Sequence, residues 1–302
     1  MIFPPKLKSG DTVAIVAPAR KISPLQVEPA IIIIESWGLT TRLGENIFSS
    51  NHSYLAGTDK ERAKDFQTMI DDPEVKAIFC ARGGYGSTRI IEDVEFTSLK
   101  RHPKWIIGFS DITAFHLRLL STGIASIHAT MPIFYGRKES QGSVESIRKV
   151  LLDGTCQIVS ELSEFNRMGH ASGQVLGGNL SLLIDSLNTP SEPDLKNKIL
   201  ILEEVDEYFY KLDRMFTQLR RTGKLKTLAG LVIGHMTDIK NSDLDFGETV
   251  QDIVLHAVRD YGFPVAFSFP SGHHEPNQAW IQGGQATLNV TSHNVVLTFQ
   301  NI

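Results

Sequence analysis

The sequence predicts an α/β protein of two domains: an N-terminal domain with a largely parallel sheet, and a C-terminal mixed α/β domain with a β-rich end. Two patterns carry this prediction. Short apolar runs alternate with amphipathic helices through the first half, and the chain closes with two apolar runs separated by the polar residues 291–294. At 302 residues the chain is long enough for two domains.

Apolar runs of strand length recur in the first half. They predict strands over residues 12–17, 75–81, 105–109 and 124–127. Apolar residues at helical spacing predict helices over 27–34, 59–70 and 112–120, the last of them ended by Gly123. A strand–helix alternation of this kind favours parallel strands joined by crossover helices.

The second half continues the alternation and then changes character. It resumes at residues 174–180, and strands are predicted over 198–202, 228–233 and 265–269. Helices are predicted through 183–187, 208–219 and 250–258. Residues 286–290 and 295–299 predict a β-hairpin. Because residues 136–173 are polar and hold few apolar runs, we expect the first domain at 1–150, a crossing at 151–172 and the second domain at 173–302.

Charge and composition limit the possible partners. The net charge of −4 leaves no basic surface for nucleic acid or for anionic membranes. The N-terminal residues lack the pattern of a secretory signal, and no apolar run approaches the length of a membrane span. We therefore expect a cytoplasmic protein. The two cysteines, Cys80 and Cys156, predict neither a disulfide framework nor a thiolate metal site.

Side chains that could take part in catalysis follow several of the predicted strands. In open α/β sheets, ligands gather at the carboxyl ends of the strands. A nucleophilic hydrolase needs a hydroxyl, an imidazole and a carboxylate, and the order serine, carboxylate, histidine is that of the α/β-hydrolases. The candidates are Ser110, Glu203 or Glu204, His235, and His273 or His274.

Each candidate has a structural alternative. Ser110 opens a helix and can act simply as its N-cap, and the Gly-x-Ser-x-Gly motif is absent because residue 112 is isoleucine. The glutamates can be surface carboxylates, and the histidines can be loop residues. Metal binding by residues 273–275 is disfavoured because adjacent residues do not readily share one face. Cys80 lies within a predicted strand and is a poor nucleophile candidate.

A glycine cluster at residues 83–86 follows the strand at 75–81 and can bring backbone N–H groups close to an anion. It lacks the spacing of a phosphate loop, and the turn after the first strand, residues 17–20, lacks the glycines of a dinucleotide site. We therefore predict no cofactor and no metal. Arg82 and Arg89 flank the glycines and are candidates for binding a substrate carboxylate, with surface solubility as the equal alternative.

Six segments in order along the chain carry a family resemblance. They are Val-Ala-Pro-Ala at 16–19, Ala-Arg-Gly-Gly-Tyr-Gly at 81–86, Gly-Phe-Ser-Asp-Ile-Thr at 108–113, Gly-Gly-Asn-Leu at 177–180, Leu-Glu-Glu at 202–204 with Asp-Arg at 213–214, and Gly-His at 272–273. On these segments the chain resembles the LD-carboxypeptidases, serine peptidases that act on murein peptides, over essentially its full length. One departure is His-Ala-Thr-Met at 128–131, where family members often have His-Gly-Pro-Met.

The resemblance implies a set of roles for residues of this chain. It places the nucleophile on Ser110, the acid on Glu203 and the base on His273, with the active site between the two domains. It also implies an oxyanion hole from the backbone N–H groups of Asp111 and Gly84. Choosing Glu203 over Glu204, and His273 over His274, follows from the resemblance; strand alternation says only that one of each pair can face the site.

The implied activity is hydrolysis of the L,D-peptide bond before a C-terminal D-alanine in murein tetrapeptides, in peptidoglycan recycling, by a homodimer without a cofactor. Two alternatives stay open. One is an immunity-type peptidase that cleaves aminoacyl-nucleotide antibiotics with the same three side chains. The other is a non-catalytic peptide- or sugar-binding protein that uses the cleft between the domains.

Overall fold

The computed structural model describes residues 1–300, which form two β-sheets flanked by helices. Residues 301 and 302, the last two of the expected second domain, lie outside the described residues. The strands are β1 (Thr12–Val16), β2 (Thr40–Leu43), β3 (Val75–Cys80), β4 (Trp105–Gly108), β5 (Ser126–His128), β6 (Gln157–Ser160), β7 (Gly169–Asn179), β8 (Lys198–Val205), β9 (Gly230–Thr237), β10 (Val265–Ala266), β11 (Trp280–Gln282), β12 (Gln285–Val290) and β13 (Val295–Phe299). The α-helices are α1 (Pro24–Ser36), α2 (Asp59–Asp71), α3 (Ser87–Ile90), α4 (Thr113–Thr122), α5 (Gln141–Arg148), α6 (Leu180–Asp185), α7 (Phe209–Arg221) and α8 (Val250–Ala257).

Local sequence explains where several helices begin and end. At the start of α2, the Thr58 hydroxyl accepts a hydrogen bond from the Glu61 N–H, and the Glu61 carboxylate accepts one from the Thr58 N–H at 2.7 Å. This reciprocal arrangement satisfies two N–H groups that the first helical turn leaves free. Helix α4 ends at Gly123, whose φ of 83° lies in the left-handed region that glycine adopts without strain.

The first sheet has the strand order β11-β5-β4-β3-β1-β2. Strands β1 to β5 pair in parallel, as the sequence predicts for the first half. The three central strands β1, β3 and β4 are almost wholly buried and apolar, since helices cover both faces of a parallel sheet. The carboxyl ends of β3 and β4 bring the glycine cluster and Ser110 to the same edge of this sheet.

The second sheet has the order β10-β9-β8-β7-β12-β13-β6. Strands β7 to β10 pair in parallel, while β7, β12, β13 and β6 pair antiparallel. The hairpin of β12 and β13 lies where the sequence predicts it. The mixed α/β fold with a β-rich end is therefore confirmed.

The expected division places the first domain at 1–150, a crossing at 151–172 and the second domain at 173–302. Two strands near these boundaries pair in ways that this division does not include. Strand β6 lies inside the expected crossing and pairs with β13, so this segment contributes an edge strand to the second sheet. Strand β11 belongs to the second half of the chain but pairs antiparallel with β5 of the first sheet. Both pairings join residues more than a hundred positions apart, which local sequence patterns do not report.

One apolar core connects the two sheets. Its buried side chains include Ile107 and Ile127 from the first sheet and Ile199 and Leu288 from the second. Burial of this cluster fixes the two halves against each other and so positions the cleft between them. Within residues 1–300, every helix is too short or too polar to cross a membrane.

Candidate active site

Ser110 lies two residues beyond the end of β4 and is the first residue of a short 3-10 helix (Ser110–Ile112) that leads into α4. Its φ of 62° is in the left-handed region, which is unusual for a residue with a side chain. The N-cap position of the 3-10 helix is Phe109, so the alternative that Ser110 is the N-cap is wrong. The Ser110 hydroxyl is instead hydrogen-bonded to Nε2 of His273 at 2.9 Å.

Glu203 lies within β8, not after its end as the sequence suggests, and its side chain is completely buried. Its Oε2 is 2.6 Å from Nδ1 of His273. The Oε1 atom has no hydrogen-bond partner among residues 1–300. A buried carboxylate held against an imidazole fixes which ring nitrogen carries the proton and how the ring is oriented.

Glu204 makes a different set of contacts. Its carboxylate accepts hydrogen bonds from the Asn179 amide at 2.8 Å and from the Ser181 N–H and hydroxyl at 2.8 and 2.7 Å. These bonds hold the start of α6 against β8. Successive residues of a strand point to opposite faces, so Glu203 faces His273 while Glu204 faces Asn179 and Ser181.

His273 is held in a loop between β10 and β11. The preceding Gly272 has a φ of 125°, and a Cβ there would lie 2.9 Å from the Cβ of Glu203. Only glycine permits this close approach of the loop to β8. The neighbouring His274 is exposed, and its Nδ1 lies 2.7 Å from the Glu275 carbonyl. The structure therefore brings His273, not His274, to Ser110 and Glu203.

The electrostatic surroundings of His273 favour its protonated form. Burial opposes protonation, but the negative charge of Glu203 and the hydrogen bond that His273 donates to its carboxylate outweigh burial. The pKa of His273 is therefore raised above its ordinary value of 6.5. A base with a raised pKa can take the proton of a serine hydroxyl more readily than an unassisted imidazole.

Backbone N–H groups meet beside the Ser110 hydroxyl. A Cβ on Gly83 would lie 3.2 Å from Ser110 Cβ and 3.3 Å from the Asp111 nitrogen, so the glycine turn passes directly against the serine. Gly84 has a φ of 107° and lines the same cavity. Among residues 1–300, the backbone hydrogen bonds of turns, loops and helix caps include none donated by the N–H of Gly84 or of Asp111. The family resemblance assigns these two N–H groups to the oxyanion hole, and that role stays a prediction.

The Asp111 side chain connects the serine loop to the glycine turn. Its Oδ2 accepts a hydrogen bond from the Ser87 N–H at 2.8 Å. Burial raises the pKa of this carboxyl above its ordinary value, while the hydrogen bonds from Ser87 act in the opposite direction. The carboxyl thus ties the start of α3 to the residue beside the serine.

Ser110 and His273 open into a cavity of about 480 Å³, here called the reaction cavity, which Arg20, Arg82 and Arg137 also line. Among residues 1–300, none of these three arginines forms an ion pair with a carboxylate. Arg82 donates to the Lys21 carbonyl at 3.1 Å, and burial together with the charge of Arg20 lowers the pKa of Arg82. The reaction cavity is suited to an anionic ligand.

The structure does not bring Arg89 to this cavity. Its guanidinium forms an ion pair with Asp59 at 2.6 Å on the surface, because α3 turns its side chain toward the start of α2. Arg20 and Arg137 were not singled out by the sequence. The available signal for Arg20 is its place directly after the first predicted strand, while nothing in the sequence relates Arg137 to Ser110.

The remaining sequence candidates lie apart from the three hydrogen-bonded side chains. The ring of His235 lies beside that of His274, with centroids 5.4 Å apart, and burial lowers the pKa of His235. Cys80 is fully buried in β3, and burial raises the pKa of its thiol far above the range in which it ionises at neutral pH. Neither group is placed to act on a ligand in the reaction cavity.

Comparison with known proteins agrees with this geometry. The family described as LD-carboxypeptidase N-terminal domain matches residues 13–129, and LD-carboxypeptidase C-terminal domain matches residues 172–288. The chain is 34% identical over 303 residues to a probable murein peptide carboxypeptidase of Bacillus subtilis, with 97% of this chain and 93% of the relative covered. Such a match over both halves defines the class: this protein is a serine-type peptidase.

More particularly, the chain belongs to the LD-carboxypeptidase family. Its fold matches a muramoyltetrapeptide carboxypeptidase from Oxalobacter formigenes with a TM-score of 0.88 and 27% identity, over 96% of this chain and 99% of that one. The microcin self-immunity protein MccF, solved with aspartyl sulfamoyl adenosine, has the same fold at a TM-score of 0.87 and 18% identity, over 99% of each chain.

Proposed function

We propose that this protein hydrolyses the L,D-peptide bond before a C-terminal D-alanine in murein tetrapeptides. The observation that carries the proposal is the hydrogen-bonded series from Ser110 through His273 to Glu203 at the edge of the reaction cavity. This series has the composition and the connectivity of a serine hydrolase triad. The names of the relatives in the same family supply the substrate class.

In the proposed reaction, Ser110 Oγ attacks the carbonyl carbon of the scissile bond while His273 Nε2 takes the hydroxyl proton. Glu203 stays ionised and stabilises the imidazolium that forms. The N–H groups of Asp111 and Gly84 donate to the oxyanion, each good donor contributing about 3–4 kcal/mol. His273 then gives its proton to the leaving D-alanine amine, and water, activated by the same imidazole, releases the acyl group from Ser110.

Arg82, with Arg20 beside it, is the proposed binding group for the terminal carboxylate. A carboxypeptidase must recognise the free end of its substrate, and guanidinium groups do so through charge-assisted hydrogen bonds. Both arginines line the reaction cavity with Ser110 and lack an acidic partner among the described residues. A role in peptidoglycan recycling, a cytoplasmic location and a homodimer belong to the same proposal.

The test is incubation with defined murein tri-, tetra- and pentapeptides, followed by mass measurement of the products. We expect the tetrapeptide to lose one alanine and the tripeptide to stay unchanged. An aminoacyl sulfamoyl adenosine is incubated in parallel, because a protein of the same fold was solved with such a compound. Cleavage of the adenosine compound alone would replace the proposal with an immunity-type activity, and tight peptide binding without turnover would replace it with a binding role.

A further inference from the structure

Arg62, near the start of α2, is a buried cation that the proposed reaction does not use. It is 1% exposed. Its Nη1 donates hydrogen bonds to the Pro18 carbonyl and, at 2.8 Å, to the Gly86 carbonyl. An arginine is seldom buried so completely unless its donors are paired, because taking the charge out of water is costly. Arg62 is therefore a fixed connection between two separate loops.

The two loops form one wall of the reaction cavity. Pro18 follows β1 and lies two residues before Arg20, and Gly86 ends the glycine turn after β3, two residues beyond Gly84. Arg20 and Gly84 both line the reaction cavity. A Cβ on Gly84 would lie 3.0 Å from Arg20 Cδ, so the arginine stem packs directly on the turn. One guanidinium thus joins the loop that carries Arg20 to the turn that carries Gly84.

The glycine turn is shaped to receive this guanidinium. Gly86 has a φ of 132°, and a Cβ there would lie 2.9 Å from Arg62 Nη1, so a side chain at this position would displace the arginine. Directly beyond the turn, the Ser87 N–H donates to the Asp111 carboxylate at 2.8 Å. The turn is therefore held by α2 through Arg62 and by the serine loop through Asp111.

Asp59 supplies the negative charge that Arg62 needs. Its carboxylate accepts a hydrogen bond from Arg62 Nη2 and forms an ion pair with Arg89 of α3 at 2.6 Å. The hydrogen bond from Arg89 is the largest cause that lowers the pKa of Asp59, so this carboxylate is ionised at neutral pH. Arg89 lies outside the reaction cavity, yet it supports the counter-charge of the residue that holds the turn.

We propose that Arg62 is a positioning residue of the peptidase, which fixes the glycine turn and the loop after β1 in the geometry that the reaction requires. Its Nη1 serves both carbonyls and its Nη2 serves Asp59, and a single lysine nitrogen cannot occupy both places. The inference rests on the proposed function, in which Gly84 donates to the oxyanion and Arg20 assists in binding the terminal carboxylate. Both groups act only in a precise position.

The first experiment measures D-alanine release from a murein tetrapeptide by Arg62→Ala and Arg62→Lys. We expect kcat to fall about a hundredfold in Arg62→Ala and about tenfold in Arg62→Lys, with a higher KM in both, because the oxyanion donor and Arg20 move together. Circular dichroism and thermal unfolding identify the folded fraction, to which the rates are normalised. Arg62→Lys keeps a charge beside Asp59 and preserves the test should Arg62→Ala fail to fold.

The matched control is Lys64→Ala on the same helix. Lys64 forms an ion pair with Glu45 at 2.8 Å, but its side chain is 63% exposed and contacts neither loop of the reaction cavity wall. We expect wild-type kcat and KM for this variant, so a loss in both Lys64→Ala and Arg62→Ala would be an effect of removing any cation from α2 and would overturn the proposal.

Added guanidinium separates positioning from general stability. Arg62→Ala leaves a space beneath the turn that a guanidinium ion can fill, so guanidinium chloride, at concentrations far below those that unfold proteins, should restore kcat at least about fivefold. Sodium chloride at equal ionic strength should not. Equal recovery with the two salts, or recovery with neither, would show that the guanidinium contacts do not set the rate and would overturn the proposal.

Labelling of Ser110 by a fluorophosphonate gives a readout that needs no peptide. The phosphoryl oxygen of the reagent takes the place of the oxyanion, so the labelling rate depends on the glycine turn. We expect folded Arg62→Ala to label at least about tenfold more slowly than the wild type. Labelling at the wild-type rate would overturn the positioning role even if D-alanine is released. If the wild type is labelled but hydrolyses no murein peptide, the proposed function fails, while slower labelling of Arg62→Ala still supports the positioning role.

Discussion

At the scale of single residues, the site depends on the imidazole ring of His273, because both of its nitrogens have a hydrogen-bond partner. Nδ1 of His273 faces a buried carboxylate at 2.6 Å and its Nε2 faces the Ser110 hydroxyl at 2.9 Å. Because Glu203 is fully buried, solvent does not screen its charge. The same contact that orients the ring therefore also raises the pKa of His273.

This electrostatic coupling predicts a pH dependence. The base must be neutral to accept a proton, so kcat/KM is expected to rise with pH through a pKa above 6.5. In Glu203→Gln the two larger causes that raise the pKa of His273, the negative charge of Glu203 and the hydrogen bond to its carboxylate, are lost or weakened, so this acidic limb should move to lower pH. The maximal rate should fall about 10²–10⁴-fold, because the imidazolium loses its counter-charge.

The measurement is the pH profile of D-alanine release for both proteins. Glu204→Gln serves as the comparison, since the charge of Glu204 is the smallest contribution to the raised pKa of His273. An acidic limb that stays in place in Glu203→Gln would show that another group controls it.

The sequence predicts that a serine, a glutamate and a histidine form the site, but it does not show which of two neighbouring glutamates takes part. Alternation along a strand requires Glu203 and Glu204 to differ, yet it does not say which one faces the site. The choice of Glu203 came from the family resemblance, and the structure gives it a physical reason in the hydrogen bond to His273. Arg137 was missed because its nearness to Ser110 depends on the tertiary fold.

At the scale of elements, the site is assembled from loops that follow parallel strands. The glycine turn after β3 and the serine turn after β4 lie side by side because β3 and β4 are neighbours in the first sheet. The turn after β3 is glycine-rich for a steric reason, since a side chain on Gly83 would meet Ser110. Close approach of the two turns is what brings backbone N–H groups to the serine.

This packing predicts the effect of a single methyl group. Gly83→Ala should reduce kcat about tenfold to a hundredfold, because a Cβ 3.2 Å from Ser110 Cβ displaces the serine or the oxyanion donors. The melting temperature should change little, since few contacts are lost. Steady-state kinetics and thermal unfolding measure the two effects.

The matched control is Gly142→Ala. A Cβ at Gly142, in α5, meets nothing within 4 Å, so this substitution should leave turnover unchanged. Wild-type turnover in Gly83→Ala would contradict the close packing of the two turns.

Most elements were predictable because their apolar patterns are local. Strands β1, β3 and β4, helix α2 and the final hairpin lie within a few residues of their predicted places. The differences arise where local pattern is weak: β6 is a four-residue strand in a polar stretch, and β8 extends through Glu203 and Glu204 as a buried strand with charged residues. Pairing partners, not intrinsic preference, make these residues strands.

At the scale of the whole molecule, the two halves of the chain are coupled through β11. Trp280 of this strand is fully buried, stacks on His128 with centroids 4.6 Å apart, and donates from Nε1 to the Ser271 hydroxyl at 2.9 Å. Ser271 lies two residues before His273. The strand thus joins the first sheet while supporting the loop that carries the histidine.

Trp280→Ala is therefore expected to weaken both halves together. Loss of a fully buried tryptophan should lower the free energy of unfolding by about 3–5 kcal/mol. Unfolding should remain a single transition, because one apolar core connects the sheets. Denaturant titration followed by circular dichroism and by residual activity checks this, with Trp280→Phe as a milder variant. Separate transitions for the two probes would show that the halves are independent.

The two-domain division was predicted from composition, but the exchange of strands between the halves was not. Composition marks where apolar patterns pause, as in residues 136–173. It does not report that β11 crosses back to β5, because this pairing joins residues far apart in sequence. The reaction cavity likewise brings together Ser110 and His273, which are far apart in sequence.

The central claim is that Ser110 is the nucleophile of an LD-carboxypeptidase. The most direct measurement is the rate of D-alanine release from a murein tetrapeptide by Ser110→Ala, with Ser121→Ala, an exposed serine of α4, as the matched control. We predict that Ser110→Ala loses at least about 10³-fold in kcat while keeping the wild-type fold, and that Ser121→Ala retains full activity. Near-normal D-alanine release by folded Ser110→Ala would contradict the claim.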